Sequence, residues 1–305
     1  LLQVLGVTDL GIYNVVGGVV TMLSFLNTSM AAGTQRFLSY ELANQNKKAL
    51  NHLFSMLLFI HILVAIIILI LSESVGLWFL KTKLVIPSER LSAAMWVLQF
   101  SILSAIVTIT QVPYNAAIIA HEKMNVFALI SVYQTFAKLI VIYLLFVFDF
   151  DKLKLISILN FIIILSVSLV YRVYCKRNFQ ECHFQFQGDK LLFKRLIGYS
   201  GWNILASISN IIADQGINML LNVFFGPAIN ASRAISLQIK SAISSFVANF
   251  QIAANPQITK SYASGDIVYM GSLIKLSAKF SAFLLMLIAF PVILEADRKS
   301  TRLNS

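Results

Sequence analysis

Long apolar runs, separated by short polar connections, recur along almost the whole chain of 305 residues. Hydrophobic residues make up 58% of the sequence and charged residues 12%. That charged share is about half the share found in soluble domains. Mostly apolar runs of about 18 or more residues are typical of membrane-spanning helices, because a helix satisfies its own backbone hydrogen bonds in lipid. The sequence therefore predicts an all-α, polytopic membrane protein.

The hydrophobic pattern predicts eight helices, near 10–40, 50–72, 92–119, 125–148, 153–175, 197–223, 228–256 and 271–294. The long basic connection, 176–196, is predicted to link an N-terminal lobe, 1–175, to the start of a C-terminal lobe, 197–296. Basic residues are concentrated in this linker and on its side of the membrane, which is therefore expected to be cytoplasmic. The last nine residues, 297–305, resemble a translated sequencing adapter and are excluded from the fold prediction.

Two segments of the chain match each other across six predicted helices. Residues 31–40, AAGTQRFLSY, and 253–262, AANPQITKSY, share two Ala, one Gln, one Ser and one Tyr at an offset of 222. The pairs Leu5-Gly6 and Phe225-Gly226 keep a similar offset of 220. An even number of intervening helices preserves orientation, so we predict two parallel repeats of six helices each. Chance similarity is the alternative.

Polar residues share one face of the sixth predicted helix and one face of the seventh. Their positions are Asn203, Ser207, Asn210, Asp214 and Asn218 on the sixth, and Asn230, Arg233, Lys240, Ser244, Gln251 and Asn255 on the seventh. A charge inside a bilayer costs several kcal/mol unless it is paired or hydrated, so these faces should line protein or water. Asp214 could pair with Arg233 or Lys240 only to fix helix packing. Alternatively, the surplus positive charge binds an anion.

Several motifs resemble the polysaccharide, or O-antigen, flippase family of the multidrug/oligosaccharidyl-lipid/polysaccharide exporter superfamily. They are LGVTDLGIYNVVGG at 5–18, TQRFLSYE at 34–41, FGP at 225–227, NASR at 230–233 and NPQI at 255–258. The resemblance covers essentially 1–296 and implies a fragment that lacks the first helix and everything after the ninth. It also implies a V-shaped, two-lobe transporter in the bacterial inner (cytoplasmic) membrane. Such a protein moves an undecaprenyl-pyrophosphate-linked oligosaccharide from the inner to the outer leaflet by alternating access.

The polar residues are assigned to this expected cavity. Arg233 and Lys240 are predicted to bind the pyrophosphate with help from Lys138, while Asp214 sets the geometry. Further cavity residues are expected to be Asn210, Asn218, Asn14 and Gln35. Asn14 and Gln35 could equally serve helix packing, and their position alone does not separate the two roles.

No nucleotide-binding loop, paired metal ligands or nucleophile with an obvious base stands out, so we predict a transporter that is not an enzyme, without cofactor or metal. The basic charge is attributed to membrane orientation and a polar cavity, not to nucleic acid. The expected partners are the bilayer, the lipid-linked oligosaccharide, and glycosyltransferases or a polymerase of the same pathway. One alternative is a multidrug/cation antiporter of the same superfamily, which should have an acidic cavity. Another is a membrane glycosyltransferase or polymerase, which should have a long outer loop with catalytic residues.

Overall fold

The computed structural model describes residues 2–21, 24–44, 46–84, 86–148, 150–185, 188–225 and 227–303. Within these ranges the chain is helical and contains no strand. The α-helices are α1 (Leu2–Thr21), α2 (Ser24–Ala43), α3 (Lys47–Leu71), α4 (Leu77–Thr82), α5 (Leu91–Ala120), α6 (Met124–Val147), α7 (Lys152–Asn178), α8 (Lys190–Phe225), α9 (Pro227–Ala263) and α10 (Ile267–Leu303). The predicted all-α fold is confirmed.

The first predicted helix, 10–40, corresponds to two helices, α1 and α2, between which residues 22–23 lie outside the described ranges. Helix α1 begins at Leu2, well before position 10, and contains a non-helical residue, Gly6, with φ 73° and ψ 173°. A positive φ of this kind is tolerated by Gly because it has no Cβ. The apolar pattern missed this first segment because a single Gly interrupts its helical geometry.

The linker between α7 and α8 is shorter than the predicted 176–196. Helix α7 continues to Asn178 with Lys176 and Arg177 in its last turn, where positive charge favours a helix C-terminus. Helix α8 begins at Lys190, where the Asp189 carboxylate accepts hydrogen bonds from two backbone N–H groups of the first turn, each at 2.9 Å. The connection is therefore 179–189, and it includes a short 3₁₀ turn at Gln180–Cys182.

Five segments of the described chain are long and apolar enough to cross a membrane. They are Lys47–Thr82, Ser88–Ala120, Met124–Val147, Lys152–Asn178 and Ile267–Pro291. Helix α5 continues through Pro113, so this proline does not end it. Helix α10 continues past the predicted end at 294 to Leu303. These lengths and compositions are those of a multi-pass membrane protein.

The chain divides into two compact units, of which the first comprises Leu1–Leu38 and Gln45–Leu205. Its core forms where α1 packs on α5 through small and branched side chains. The members of this core include Ile12, Val16 and Val20 of α1 and Ala93, Ala94, Val97, Leu98 and Ile102 of α5. The alanines let the two helix backbones approach closely. Helix α5 also packs on α3 and α7, so it lies at the centre of this unit.

Two polar features occupy the end of the first unit that is farther from the linker. Arg90 donates to Asp9 of α1 (Nη2 to Oδ2, 3.1 Å) and to Asp151 (Nη1 to Oδ2, 3.2 Å), which also caps α7. A π-helical turn, Ser72–Gly76, joins α3 to α4. Within it, Glu73 accepts a hydrogen bond from the Gln99 amide at 3.2 Å.

The second unit comprises Ser39–Asn44 and Ala206–Ser305. In it α9 and α10 pack side by side, with the rings of Phe250 and Phe280 in contact at 6.2 Å between centroids. The predicted division into lobes with six-helix repeats stays a prediction.

Candidate functional site

A cavity of about 460 Å³, with a mainly apolar surface into which several polar groups are set, lies among the helices of the first unit. Helices α1, α2, α3, α5, α6 and α7 all contribute to it. Its polar lining is Tyr13, Asn14, Asn27, Ser101, Ser104, Thr108, Gln134, Lys138, Ser157 and Asn160. Its volume falls within the range of small-molecule sites, about 300–1,000 Å³. The lining has one cation, Lys138, and no carboxylate among the residues that the structure describes.

Three hydroxyl groups of this lining donate their protons to backbone carbonyls. Ser104 donates to the Phe100 carbonyl at 2.6 Å, Thr108 to the Ser104 carbonyl at 2.7 Å, and Ser157 to the carbonyl of residue 153 at 2.8 Å. Each hydroxyl oxygen keeps its lone pairs and can accept a further hydrogen bond. Within the described ranges no group donates a hydrogen bond to the buried Oδ1 atom of Asn27, so it is a further acceptor in the wall.

Hydrogen-bond donors occupy other parts of the same wall. The Asn160 amide donates to the Tyr13 hydroxyl oxygen at 2.9 Å, so the Tyr13 O–H proton can be donated elsewhere. Lys138 is exposed on α6 and forms none of the ion pairs found within the described ranges. Its ammonium group brings three donors and a full charge to the cavity. The wall therefore offers both acceptors and donors, with a net positive charge.

Two of the predicted site residues, Asn14 and Lys138, line this one cavity. Gln35 is half-buried on α2 and is not part of the lining. Arg233 is half-buried and Lys240 is exposed, both on α9 in the second unit. The side chains of Asn210, Asp214 and Asn218 lie outside the described residues. The role of each of these residues stays a prediction.

A polar stripe on α5 also lines the cavity, and the sequence analysis missed it. Ser101, Ser104 and Thr108 are separated by three and four residues, which places them on one helical face. The same spacing rule that identified the stripes of the sixth and seventh predicted helices could have found them. Asn160 and Ser157 of α7 form a shorter pair of the same kind.

A second polar cluster holds the linker against the first unit. The Asn51 amide donates to the Glu181 carbonyl at 2.9 Å and to the His183 carbonyl at 2.8 Å. His121 stacks on the Phe179 ring, with centroids 4.0 Å apart, and its Nε2 contacts the Glu181 carboxylate. These contacts join α3, the end of α5 and the linker.

Burial and charge act in opposite directions on the acidic and thiol groups of this cluster. Burial raises the pKa of the Glu181 carboxyl. The hydrogen bond with His121, a backbone hydrogen bond and the charges of His121 and Lys47 lower this pKa by a larger amount, so it lies below its ordinary value. Cys175 and Cys182 are both buried free thiols. A hydrogen bond with Cys175, followed by burial, raises the pKa of the Cys182 thiol. Cys182 should therefore be a poor nucleophile.

Comparison with known proteins gives matches among solved structures only. No protein-family model matches the chain, and no curated protein matches it. An outward-facing multidrug resistance MATE family transporter of the MOP superfamily superposes with a TM-score of 0.75 at 15% identity, covering 95% of this chain and 64% of that one. A MATE structure in complex with MaD5 gives a TM-score of 0.74 at 14% identity, covering 98% and 73%.

A third solved structure is a MOP superfamily transporter from Pyrococcus furiosus, described as having a binding pocket of reverse polarity that suggests a different function. It gives a TM-score of 0.59 at 14% identity and covers 96% of this chain and 68% of that one. The chain thus spans 64 to 73% of the length of these three transporters. At such identities the likeness establishes the architecture. The chain has the fold of MATE transporters of the MOP superfamily.

Proposed function

We propose that the chain is part of a transporter that moves a lipid-linked oligosaccharide, carried on a pyrophosphate, across a bacterial inner membrane. The observation that carries the proposal is the cavity of the first unit, whose described lining contains Lys138 and no carboxylate. An anionic or neutral polyhydroxylated cargo fits such a wall better than a cation does.

The pattern of donors and acceptors supports a sugar in particular. Each sugar hydroxyl both donates and accepts, and the wall offers the acceptor oxygens of Ser104 and Thr108 beside the donors of Tyr13 and Lys138. A wall whose polar groups hydrogen-bond hydroxyls favours ligands that carry them, because those groups lose partners when a ligand without hydroxyls displaces water. The lipid chain of the cargo would remain in the bilayer.

A multidrug or cation antiporter is the second candidate, because transporters of that kind share this fold. A cavity for cationic drugs is expected to contain an acid that balances the charge of its cargo. The Pyrococcus furiosus structure, described as having a pocket of reverse polarity, supports the idea that this fold accommodates cavities of different charge. The two candidates therefore differ in the cavity charge that they need: the flippase needs a cation such as Lys138, and the antiporter needs an acid.

Arg233 and Lys240 keep their proposed role as phosphate ligands on α9. Arg233 would donate a bidentate pair of hydrogen bonds to a phosphate, and Lys240 would supply a point charge. Asp214, which the sequence predicts at a similar depth on the preceding helix, is the acid proposed to set the geometry of these cations.

The test uses the full-length protein in cells and in vesicles. Lys138→Ala removes one charge-assisted contact of about 1.5–3 kcal/mol, so transport of lipid-linked sugar should fall about 10- to 100-fold at equal expression. Lys138→Arg should keep much of the activity. Lys123→Ala removes an exposed cation that immediately precedes the same helix, α6, and does not line the cavity, so this variant should transport normally.

Drug efflux is measured on the same variants. Loss of sugar transport in Lys138→Ala, with Lys123→Ala unchanged, supports the flippase. Normal sugar transport by Lys138→Ala would show that the proposed cargo is wrong. Export of cationic drugs by the parent, with stronger export by Lys138→Ala, would do the same and would favour the antiporter. Arg233→Ala and Lys240→Ala, made singly, test the phosphate ligands of α9 independently of the cavity.

A further inference from the structure

Two arginines and two aromatic rings form a cluster at the linker end of the first unit, outside the cavity. Arg36 lies seven residues before the end of α2, and Arg195 lies five residues after the start of α8. Since a helix rises about 1.5 Å per residue, both lie within about 10 Å of the helix ends on this side. Helix ends of a membrane protein are expected near the level of the lipid phosphates.

The rings hold both guanidinium groups in place. The Arg36 guanidinium lies over the Tyr199 ring at 5.2 Å from its centroid, and Nη1 donates to the Tyr199 hydroxyl at 3.3 Å. The Arg195 guanidinium lies 5.9 Å from the centroid of the Phe37 ring. The two rings meet edge to face, with centroids 5.3 Å apart and planes at 82°. Two cations are therefore fixed on one pair of touching rings.

Neither guanidinium is neutralised by the part of the chain that the structure describes. Both arginines are exposed, and the ion pairs found there involve other residues. Stacking on a ring leaves edge donors of a guanidinium available, and each such fork matches two oxygens of a phosphate. Two cations on one pair of touching rings repel each other, and the attraction of each to a bound anion would offset that repulsion.

The close approach of α2 and α8 depends on Gly33. A Cβ atom at this position would lie 3.0 Å from Cε1 of Tyr199, closer than ordinary contacts allow. Gly33 therefore permits the tyrosine ring to lie against α2 and under Arg36.

We propose that Arg36 and Arg195, supported by Tyr199 and Phe37, form a binding site for a phosphate group at the membrane surface. A headgroup phosphate of an anionic lipid and a free phosphate anion present the same oxygens to this site. The site is independent of the cavity and of its proposed cargo, so its failure would leave the proposed function untouched.

Trp202 provides a reporter for the test. It lies three residues after Tyr199 on α8 and is 76% exposed, so a bound lipid should reach it. In the full-length protein every tryptophan except Trp202 is replaced by Phe. The protein is reconstituted in phosphatidylcholine vesicles containing phosphatidylglycerol, with bromine on the acyl chains of one lipid or the other. The ratio of quenching by the two brominated lipids measures the local enrichment of the anionic lipid.

The test variant is the double substitution R36Q/R195Q, and its matched control is K176Q/R177Q. The control removes two exposed cations from the same membrane side, at the end of α7. Phosphatidylglycerol should be enriched around Trp202 in the parent and in the control. The enrichment should fall about fivefold for each guanidinium lost. R36K/R195K should retain part of it. The single variant R195Q, which loses only the contact with Phe37, serves if the double variant does not fold.

A second arm titrates inorganic pyrophosphate into the protein in pure phosphatidylcholine vesicles. If R36Q/R195Q loses the lipid enrichment while the parent and K176Q/R177Q keep it, the headgroup is the ligand. If pyrophosphate changes the Trp202 emission in the parent and in K176Q/R177Q but not in R36Q/R195Q, a free phosphate anion is a ligand. Equal enrichment in all variants, equal loss in K176Q/R177Q, or no response in either arm overturns the proposal.

Discussion

Replacing Arg90 with Met should destabilise the first unit, because Arg90 is the cation shared by two carboxylates. Its guanidinium lies 3.1 Å from Asp9 and 3.2 Å from Asp151. The Asp9 side chain is only 9% exposed, whereas the side chains of Arg90 and Asp151 are 40% and 27% exposed. Met keeps the apolar stem of the arginine and removes the charge. The substitution thus leaves Asp9 nearly buried without its partner.

The exposures set the magnitude of the effect. Removing one partner from a fully buried ion pair costs about 3–5 kcal/mol, whereas a pair at the surface contributes about 0–1 kcal/mol. The contact with Asp9 lies between these limits because Arg90 itself is partly hydrated, and the contact with Asp151 lies near the lower limit. The free energy of unfolding should therefore fall by about 2–4 kcal/mol.

The assay is reversible unfolding in mixed detergent micelles, followed by circular dichroism, on Arg90→Met, Asp9→Asn and the double variant. Residues in direct contact give coupling energies of about 0.5–3 kcal/mol, and we expect the upper half of this range. Arg177→Met, at an exposed arginine, should change stability by less than about 0.5 kcal/mol. Additive effects of the two single substitutions, or a loss below about 1 kcal/mol in Arg90→Met, would refute the assignment of this bridge.

Three further outcomes are expected. In the same unfolding assay Gly33→Ala should be about 1–3 kcal/mol less stable than Gly17→Ala, because a Cβ at Gly33 would lie 3.0 Å from an aromatic ring whereas a Cβ at Gly17 would meet its nearest atom at 3.8 Å; Gly17→Ala itself should gain up to about 1 kcal/mol from the higher helix propensity of Ala. Because the folded pKa of Glu181 is depressed, its contribution to linker docking should be complete above about pH 4.3 and lost as the pH falls through the folded value; proteolysis of the linker should rise there in the parent, and Glu181→Gln should lack this pH dependence. Asn51→Ala removes two hydrogen bonds to the linker, so maleimide labelling of the buried Cys182 should accelerate about 10- to 30-fold, while the urea-unfolded parent and variant should label at equal rates.

The sequence predicted features that depend on local periodicity. Apolar runs predicted the helical bundle, whereas the roles predicted for Asn14 and Lys138, which both line the cavity, stay predictions. Helical spacing, applied to Ser101, Ser104 and Thr108, would have extended the site to α5. These residues were missed because short hydroxyl side chains scarcely lower the mean hydropathy of an apolar helix, and their back-bonded protons make them common in membrane spans.

Contacts between distant parts of the chain could not be predicted in this way. Asn51 meets the linker across 130 residues, and Arg90 meets Asp9 across more than eighty. Which partners meet is decided by helix packing, and no pattern within one helix specifies it. The linker was predicted as a long basic connection because its charges outweighed two weaker local signals, the cap at Asp189 and the cations that favour the end of α7.

The π-helical turn at Ser72–Gly76 has a consequence for the phase of the helix around it. Ile68 before the turn and Leu80 after it are twelve residues apart, and both are buried against α5. In an uninterrupted α-helix, twelve residues rotate a side chain by about 120° from its starting direction, whereas eleven rotate it by about 20°. The wide turn absorbs about one residue. It thereby acts as an insertion that the helix tolerates, and it allows Leu80 to face the same neighbour as Ile68.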